Sequence, residues 1–233
     1  MGQDPELGDN QRDIAINQHI VSNRHIDAFT RDGVVSVRLL THDAEFNAPP
    51  QNEVFCAKRQ WDEKTEKIRM KSIEDRFHRE MDRIKAGEEL SDHEAMTEYL
   101  LTWLFRAWAG DNEQKGTKLN GITPSDLTNE EKANLEANGV AYVDSDGRVP
   151  ERFGRGLDYM ALLDHPPDQV HTGEWRVVEV KEELLVSDLP VTSIIPIAPL
   201  AAVVPEHLEE FVPSIYNDIA RDNARNWYFR APT

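Results

Sequence analysis

The chain has 233 residues and a mass of 26.6 kDa, enough for one large domain or two small ones and for a core that needs no disulfide staples. Asp and Glu outnumber Lys and Arg by 43 to 26, a net charge of −17, which argues against broad non-specific attraction to DNA, RNA or anionic lipid. The single cysteine, Cys56, excludes an intrachain disulfide framework and a thiolate zinc cluster.

The opening MGQDPELGDN is polar and acidic, without the basic and apolar regions of a signal peptide. Residues 1–12 are expected to be a flexible lead-in and 13–233 a single domain. With a lone cysteine and no signal, the cytoplasm is the expected compartment. The stretch Gln18–Phe29 is expected to open with a turn of helix. Asp32–Gly33 marks a turn before a strand over Val34–Leu40. Glu66–Ala86 predicts a helix, with Met70, Ile73, Phe77, Met81 and Ile84 on one face and Gly87 at its end. Ser91 and Glu94 form a capping-box pattern for a second helix to Ala109, whose core face is Met96, Tyr99, Leu100, Trp103, Leu104 and Trp108. Thr128 and Glu131 repeat the pattern for a third helix, closed by Gly139. Val140–Val143 and Arg148–Val149 read as a hairpin through DSDG, and Gly156–Leu163 as a short helix.

Strand patterns follow at Trp175–Val180, Leu184–Val186 and Ile194–Val204. The apolar stretch Ile194–Pro205 is too short to span a bilayer and contains Pro196 and Pro199, so no membrane partner is expected. Pro213–Asn223 is an amphipathic helix with proline at its first position, and Trp227–Phe229 is a last strand. Strands at both ends and helices between them predict an α+β domain, its mixed sheet built from N- and C-terminal strands around a central helical segment.

The charge is uneven. Residues 1–57 carry nine acids against four bases, and residues 86–233 carry 27 against 12, but residues 58–85 carry ten bases against seven acids. This basic island reads either as a solvated helix face laced with ion pairs such as Glu63–Lys67, or as a strip that contacts phosphates through Lys67, Arg69, Lys71 and Arg79. The sequence has no phosphate-binding GxxxxGK[ST] or GxGxxG loop, no HExxH and no GxSxG. No metal and no cofactor are expected. His19 and His25, six apart, do not share a helix face. Four places carry a polar residue inside a structural pattern: Gln18–His19, Glu74 beside the buried stripe, Ser187–Asp188 after an apolar strand, and Asn217 on the last helix. Each also has an ordinary structural reading, as a cap, an ion pair, a turn or a hydrogen bonder.

Taken together, QHIVSNRHIDAF (18–29), KSIEDRF (71–77), LLVSDLPV (184–191), IIPIAPLAAVV (194–204) and SIYNDIARDNARNWYF (214–229) resemble, in order, the motifs of the family called domain of unknown function 4238. The departures are Ser22 where proline is common, His25–Ile26 where an aromatic–leucine pair is usual, and a compact, very acidic middle. The resemblance implies a link to arginine-containing cyclodipeptide synthases, which take amino acids from aminoacyl-tRNA without ATP or metal. It implies a site of His19, Glu74, Ser187, Asp188 and Asn217. His19 would serve as base, Glu74 or Asp188 as the carboxylate for a guanidinium, and Ser187 or Ser22 as an acyl acceptor. The basic island would meet the tRNA, with no DNA partner; homo-oligomerisation is left open. Two other classes fit the residue types: a nuclease-like toxin or phage-defence effector, and a non-catalytic acidic immunity or inhibitor protein.

Overall fold

The computed structural model describes residues 14–112, 115–123, 125–191 and 193–232, so the expected lead-in lies outside the described residues. The N-terminal part contains β1 (Asn17–His19), α1 (Asn23–Asp27), β2 (Val35–Leu39), β3 (Ala44–Ala48) and β4 (Cys56–Lys58), which returns to pair antiparallel with β1. A π-helical segment, Thr65–Met70, runs directly into α2 (Lys71–Lys85), and α3 (His93–Asp111) follows. The middle holds β5 (Thr117–Lys118), α4 (Asn129–Ala137), β6 (Arg148–Val149) and α5 (Glu151–Asp164). The C-terminal part is β7 (Trp175–Glu179), β8 (Val186–Ser187), β9 (Ile195–Ala198), β10 (Ala201–Pro205), α6 (Pro213–Asn223) and β11 (Trp227–Arg230).

The two ends of the chain share a sheet in the order β3-β2-β11-β8, with Val37 opposite both Phe229 and Phe46. This is the expected mixed α+β fold. The main core joins that sheet to α2 and α3 through Val35, Val37, Phe229, Met70, Phe77 and Tyr99. Phe77 stacks flat on Tyr99 at 3.7 Å between ring centroids; fully burying a side chain of this size contributes about 1.5–3 kcal/mol. A second sheet, β7-β10-β9, lies between two apolar clusters. Val203 and Ile195 face the main core, whereas Ala202 and Val204 face a smaller one with Tyr216 and Ala220 of α6. The period-2 alternation along β10 produces this double burial.

Several boundaries differ from the expected ones. The segment after Gln18 begins as strand, because Gln18 is needed to pin residues 60–61, and α1 starts only after Ser22, whose side chain caps it. The second long helix is capped by Asp92, which accepts from Ala95 N, since Ser91 is taken by Glu80. Trp108, expected in the core, is 42% exposed, and Phe105 is buried in its place. Arg148–Val149 pairs with β5 rather than with 140–143, and the 194–204 run breaks at Pro199–Leu200 into the hairpin β9–β10. The short helix expected at 156–163 starts earlier, at Glu151 after Pro150. The Thr128–Glu131 capping box and the Pro213 helix start are as expected. No helix among the described residues is long and apolar enough to cross a membrane.

Helix α5 approaches the start of the π segment closely. A Cβ on Gly156 would lie 2.6 Å from Thr65 Oγ1 and 2.7 Å from Asp62 Oδ2, so only glycine fits there without displacing the pair. The neighbouring Arg155, fully buried, donates to the carbonyls of Ala109 and Asn112 at 2.8 Å. It thereby satisfies orphan carbonyls at the C-terminus of α3.

Candidate functional site

The C-terminal half of α3 organises the polar interior. Arg106 is the one charged residue in the apolar run Leu100–Gly110. It is 2% exposed and meets two carboxylates: Nη1 donates to Glu74 Oε1 at 2.5 Å and Nη2 to Glu66 Oε2 at 3.4 Å. Glu66, in the π segment, also accepts from Trp61 Nε1 at 2.5 Å. π-helical insertions of this kind recur at functional sites because they re-aim side chains within a helix. Desolvation opposes the Arg106 charge, but Glu74 and Glu66 outweigh it and hold its pKa above the ordinary guanidinium value. Burial raises the Glu74 carboxyl above the usual carboxylate range; the Arg106 charge counters this and Glu66 adds to it.

His19 sits beside this cluster. Gln18 faces inward, with Oε1 accepting from Gln60 N and Trp61 N, and Nε2 donating to the Trp61 carbonyl. The strand then presents His19 on its other face, half-buried. The strand pair packs directly on α3: a Cβ on Gly110 would be in ordinary contact with Ile20 and Ala57 at 3.4 Å. His19 Nε2 lies 3.3 Å from the Pro50 carbonyl, which only accepts, so Nε2 carries the proton and Nδ1 keeps its lone pair. Burial lowers the His19 pKa; the Pro50 bond opposes this and the nearby Arg106 charge reinforces it. The imidazole is therefore neutral at pH 7, with a free basic nitrogen. Its cross-strand neighbour Cys56 is pushed up to about 11 by burial and by Glu53, so it stays a thiol and forms no thiolate–imidazole pair.

A second polar chain runs behind the site. His25 Nε2 donates to the Pro196 carbonyl at 2.5 Å, so His25 Nδ1 accepts from Tyr99 OH at 2.8 Å. The Tyr99 oxygen then takes the Ser22 hydroxyl proton at 3.2 Å, and Ser22 Oγ accepts from His78 Nε2 at 3.1 Å. The carbonyl at one end thus sets the direction of every proton in the chain. In this order His78 donates to Ser22 and does not act as its base, so Ser22 is a buried node and not an activated nucleophile.

Asp188 is held more fully. Its carboxylate accepts from the main-chain N–H groups of Leu189, Arg225 and Asn226 and from Asn226 Nδ2, at 2.7–3.0 Å. Burial raises its pKa against these hydrogen bonds. Asn226 Nδ2 also reaches Asp111, and Trp103 Nε1 donates to the Asp188 carbonyl, which ties Asp188 to α3. Ser187 gives its proton to the Leu189 carbonyl at 2.6 Å. Asn217 lies in the smaller core, accepting from Leu185 N and donating to the Glu183 carbonyl and to Glu182. Glu74 is thus tied to α3 through Arg106, Asp188 through Trp103 and Asn226–Asp111, and His19 feels the Arg106 charge, with no hydrogen bond joining any two of the three among the described residues; Asn217 lies apart, ordering the loop that leads into β8.

In the basic island, Lys67 pairs with the buried Glu63 at 2.6 Å and Lys71 with Asp75 at 3.2 Å. Arg79 is exposed on the same helix, and Arg69 is half-buried. Arg76 binds Asp92, Glu94 and Glu98, so its charge is matched at the start of α3. Among the described residues, no three His, Cys, Asp or Glu side chains converge as a metal-binding group. The sequence reasoning missed Arg106, Glu66 and the His25–Tyr99–Ser22–His78 chain. The lone charge in an apolar helix was a signal for the first; nothing local signalled the last. Comparisons with family models, curated proteins and solved structures return no match.

Proposed function

We propose that the protein transfers an aminoacyl group from tRNA in the cytoplasm, in the manner of the arginine-containing cyclodipeptide synthases that its motifs resemble. The observation that carries this reading is His19: neutral, half-buried, its tautomer set by Pro50, with Nδ1 open beside the Glu74–Arg106–Glu66 cluster. An aminoacyl ester is already activated, so amine attack needs a base rather than a second nucleophile. The amine of one aminoacyl group attacks the ester carbonyl of another and loses its proton to His19 Nδ1. The C–N bond forms, the C–O bond to the ribose breaks, and the departing ribose oxygen takes the proton back. A second attack of the same kind, by the free amine of the dipeptidyl ester on its own ester carbonyl, closes the ring.

The hydroxyls of Ser22 and Ser187 are engaged within the fold, which favours direct amine attack over an acyl-serine intermediate. Glu74 Oε2 carries no protein hydrogen bond among the described residues and is the carboxylate oxygen left for a cationic substrate group. Asp188 serves by holding the 224–226 turn against α3. Untargeted mass spectrometry of cells expressing the wild type and His19→Ala tests the reading. An amino-acid-derived product should be present with the wild type and absent with the variant. Indistinguishable small-molecule profiles, with both proteins folded, would count against it.

A further inference from the structure

Strand β7 is an edge of its sheet, paired only with β10 among the described residues. Glu206 N donates to the Glu174 carbonyl and Val180 N to the Leu200 carbonyl, so the even-numbered residues of β7 aim their main-chain groups at β10. The odd-numbered ones point outward. Trp175 N is covered by His93 Nδ1 at 3.0 Å. The N–H and carbonyl groups of Val177 and Glu179 have no hydrogen bond among the described residues and face a groove of about 570 Å³ between β7 and the turn after α2. Ile84, Leu90 and Val177, which pack on the main core, give the groove apolar lining. Its rim carries Glu89, Glu179 and Glu206, with Glu88 beside them paired to Arg83 at 2.8 Å; the one cation among the described lining residues, Arg176, is turned to the Leu208 carbonyl.

We propose that this edge is a docking site for an extended, lysine- or arginine-rich segment of a partner protein, which adds to β7 as a further strand. Three separate features meet there. Open main-chain groups at 177 and 179 supply the pairing that drives strand addition. The apolar floor accepts alternate side chains of the incoming strand. The acidic rim selects basic residues at the positions between them. A second copy of this chain is a poor occupant, because its own β7 rim is equally acidic and would repel. The site lies on β7 and the α2–α3 turn, apart from His19 and its neighbours, so it stands or falls independently of the proposed chemistry.

A synthetic heptapeptide alternating lysine and valine is the probe, with its glutamate–valine counterpart as control. Binding and amide hydrogen exchange are followed by NMR on the full chain. The basic peptide should bind, weaken with salt, and slow exchange at the Val177 and Glu179 amides; the acidic peptide should do neither. Val177→Pro removes an outward donor without removing a ladder bond to β10 and should weaken binding roughly tenfold. Glu89→Lys with Glu179→Lys should weaken it comparably while leaving the backbone donors in place. The proposal is overturned if the basic peptide does not bind, if protection appears elsewhere, or if both variants bind as the wild type does. Protection at 177 and 179 that grows with protein concentration alone would also overturn it, by showing an interface between copies.

Discussion

Replacing Arg106 with methionine is expected to destabilise the protein by about 3–5 kcal/mol. The methionine fills similar space, and Met70, whose sulfur accepts from Arg106 Nε at 3.4 Å, remains beside it. What is lost is, among the described residues, the one cation paired with both Glu74 and Glu66, two carboxylates with about a fifth of their side-chain surface exposed. Uncompensated buried charge, rather than the lost hydrogen bonds, dominates the cost. The double variant Arg106→Met with Glu74→Gln should recover part of the loss, because one of the two stranded charges is gone. Urea unfolding of the wild type and both variants measures this. A loss under about 1 kcal/mol for the single variant would show that the cluster is solvated and not part of the interior.

Stability should also fall steeply as the solution is acidified. Burial holds the folded pKa of His25 at about 3 and that of His78 at about 4, both below the ordinary histidine value. Arg24 reinforces the burial effect at His78, and Asp75 and Asp82 oppose it. The unfolded chain takes up a proton at each site below about pH 6.5, whereas the folded chain does not. The stability is therefore fully present above that pH. It is lost as pH falls toward the folded values, at up to about 1.4 kcal/mol per pH unit for each histidine. Between pH 6.5 and 4.5 the two together remove on the order of 5 kcal/mol. His78→Gln keeps an N–H donor for Ser22 and deletes one titrating site, so its stability should fall less steeply over the same range. Parallel slopes for wild type and variant would contradict burial of a neutral His78.

The two histidines also show where the sequence stops being readable. Pro213–Asn223 is legible as a helix because proline at its first turn and an amphipathic repeat are both local signals. The shared sheet is legible because β2 and β11 are apolar and lie at opposite ends of the chain. His25 is different. Its partners, Tyr99 and the Pro196 carbonyl, are 74 and 171 positions away, and no periodicity announces them. Strand β1 is three residues long and is held by Gln18, a side chain acting on distant backbone, so local propensity has little to report. Asp188 reads as a turn residue and is one, but the turn it orders is 224–226, which leads into the neighbouring strand β11 some 37 positions away in sequence. In the basic island, Glu63–Lys67 follows from i,i+4 spacing, whereas Arg76 finds its carboxylates on the next helix.

Transfer from tRNA is most directly tested by a reconstituted reaction with purified protein and radiolabelled aminoacyl-tRNA, followed by recovery of label in a small-molecule product. The informative variant carries Arg69→Glu, Lys71→Glu and Arg79→Glu together, positions off the Met70–Ile73–Phe77 stripe. Lys67 is left in place because it neutralises the buried Glu63. Affinity for a nucleic acid falls with each phosphate contact removed, so the triple variant should lose tRNA-dependent product while losing under about 1 kcal/mol of stability, the cost of the exposed Lys71–Asp75 pair. His19→Ala should lose it as well, and ribonuclease treatment of the charged tRNA should abolish it for the wild type. Full activity in the triple variant, or product formation that ribonuclease leaves unchanged, would contradict transfer from tRNA.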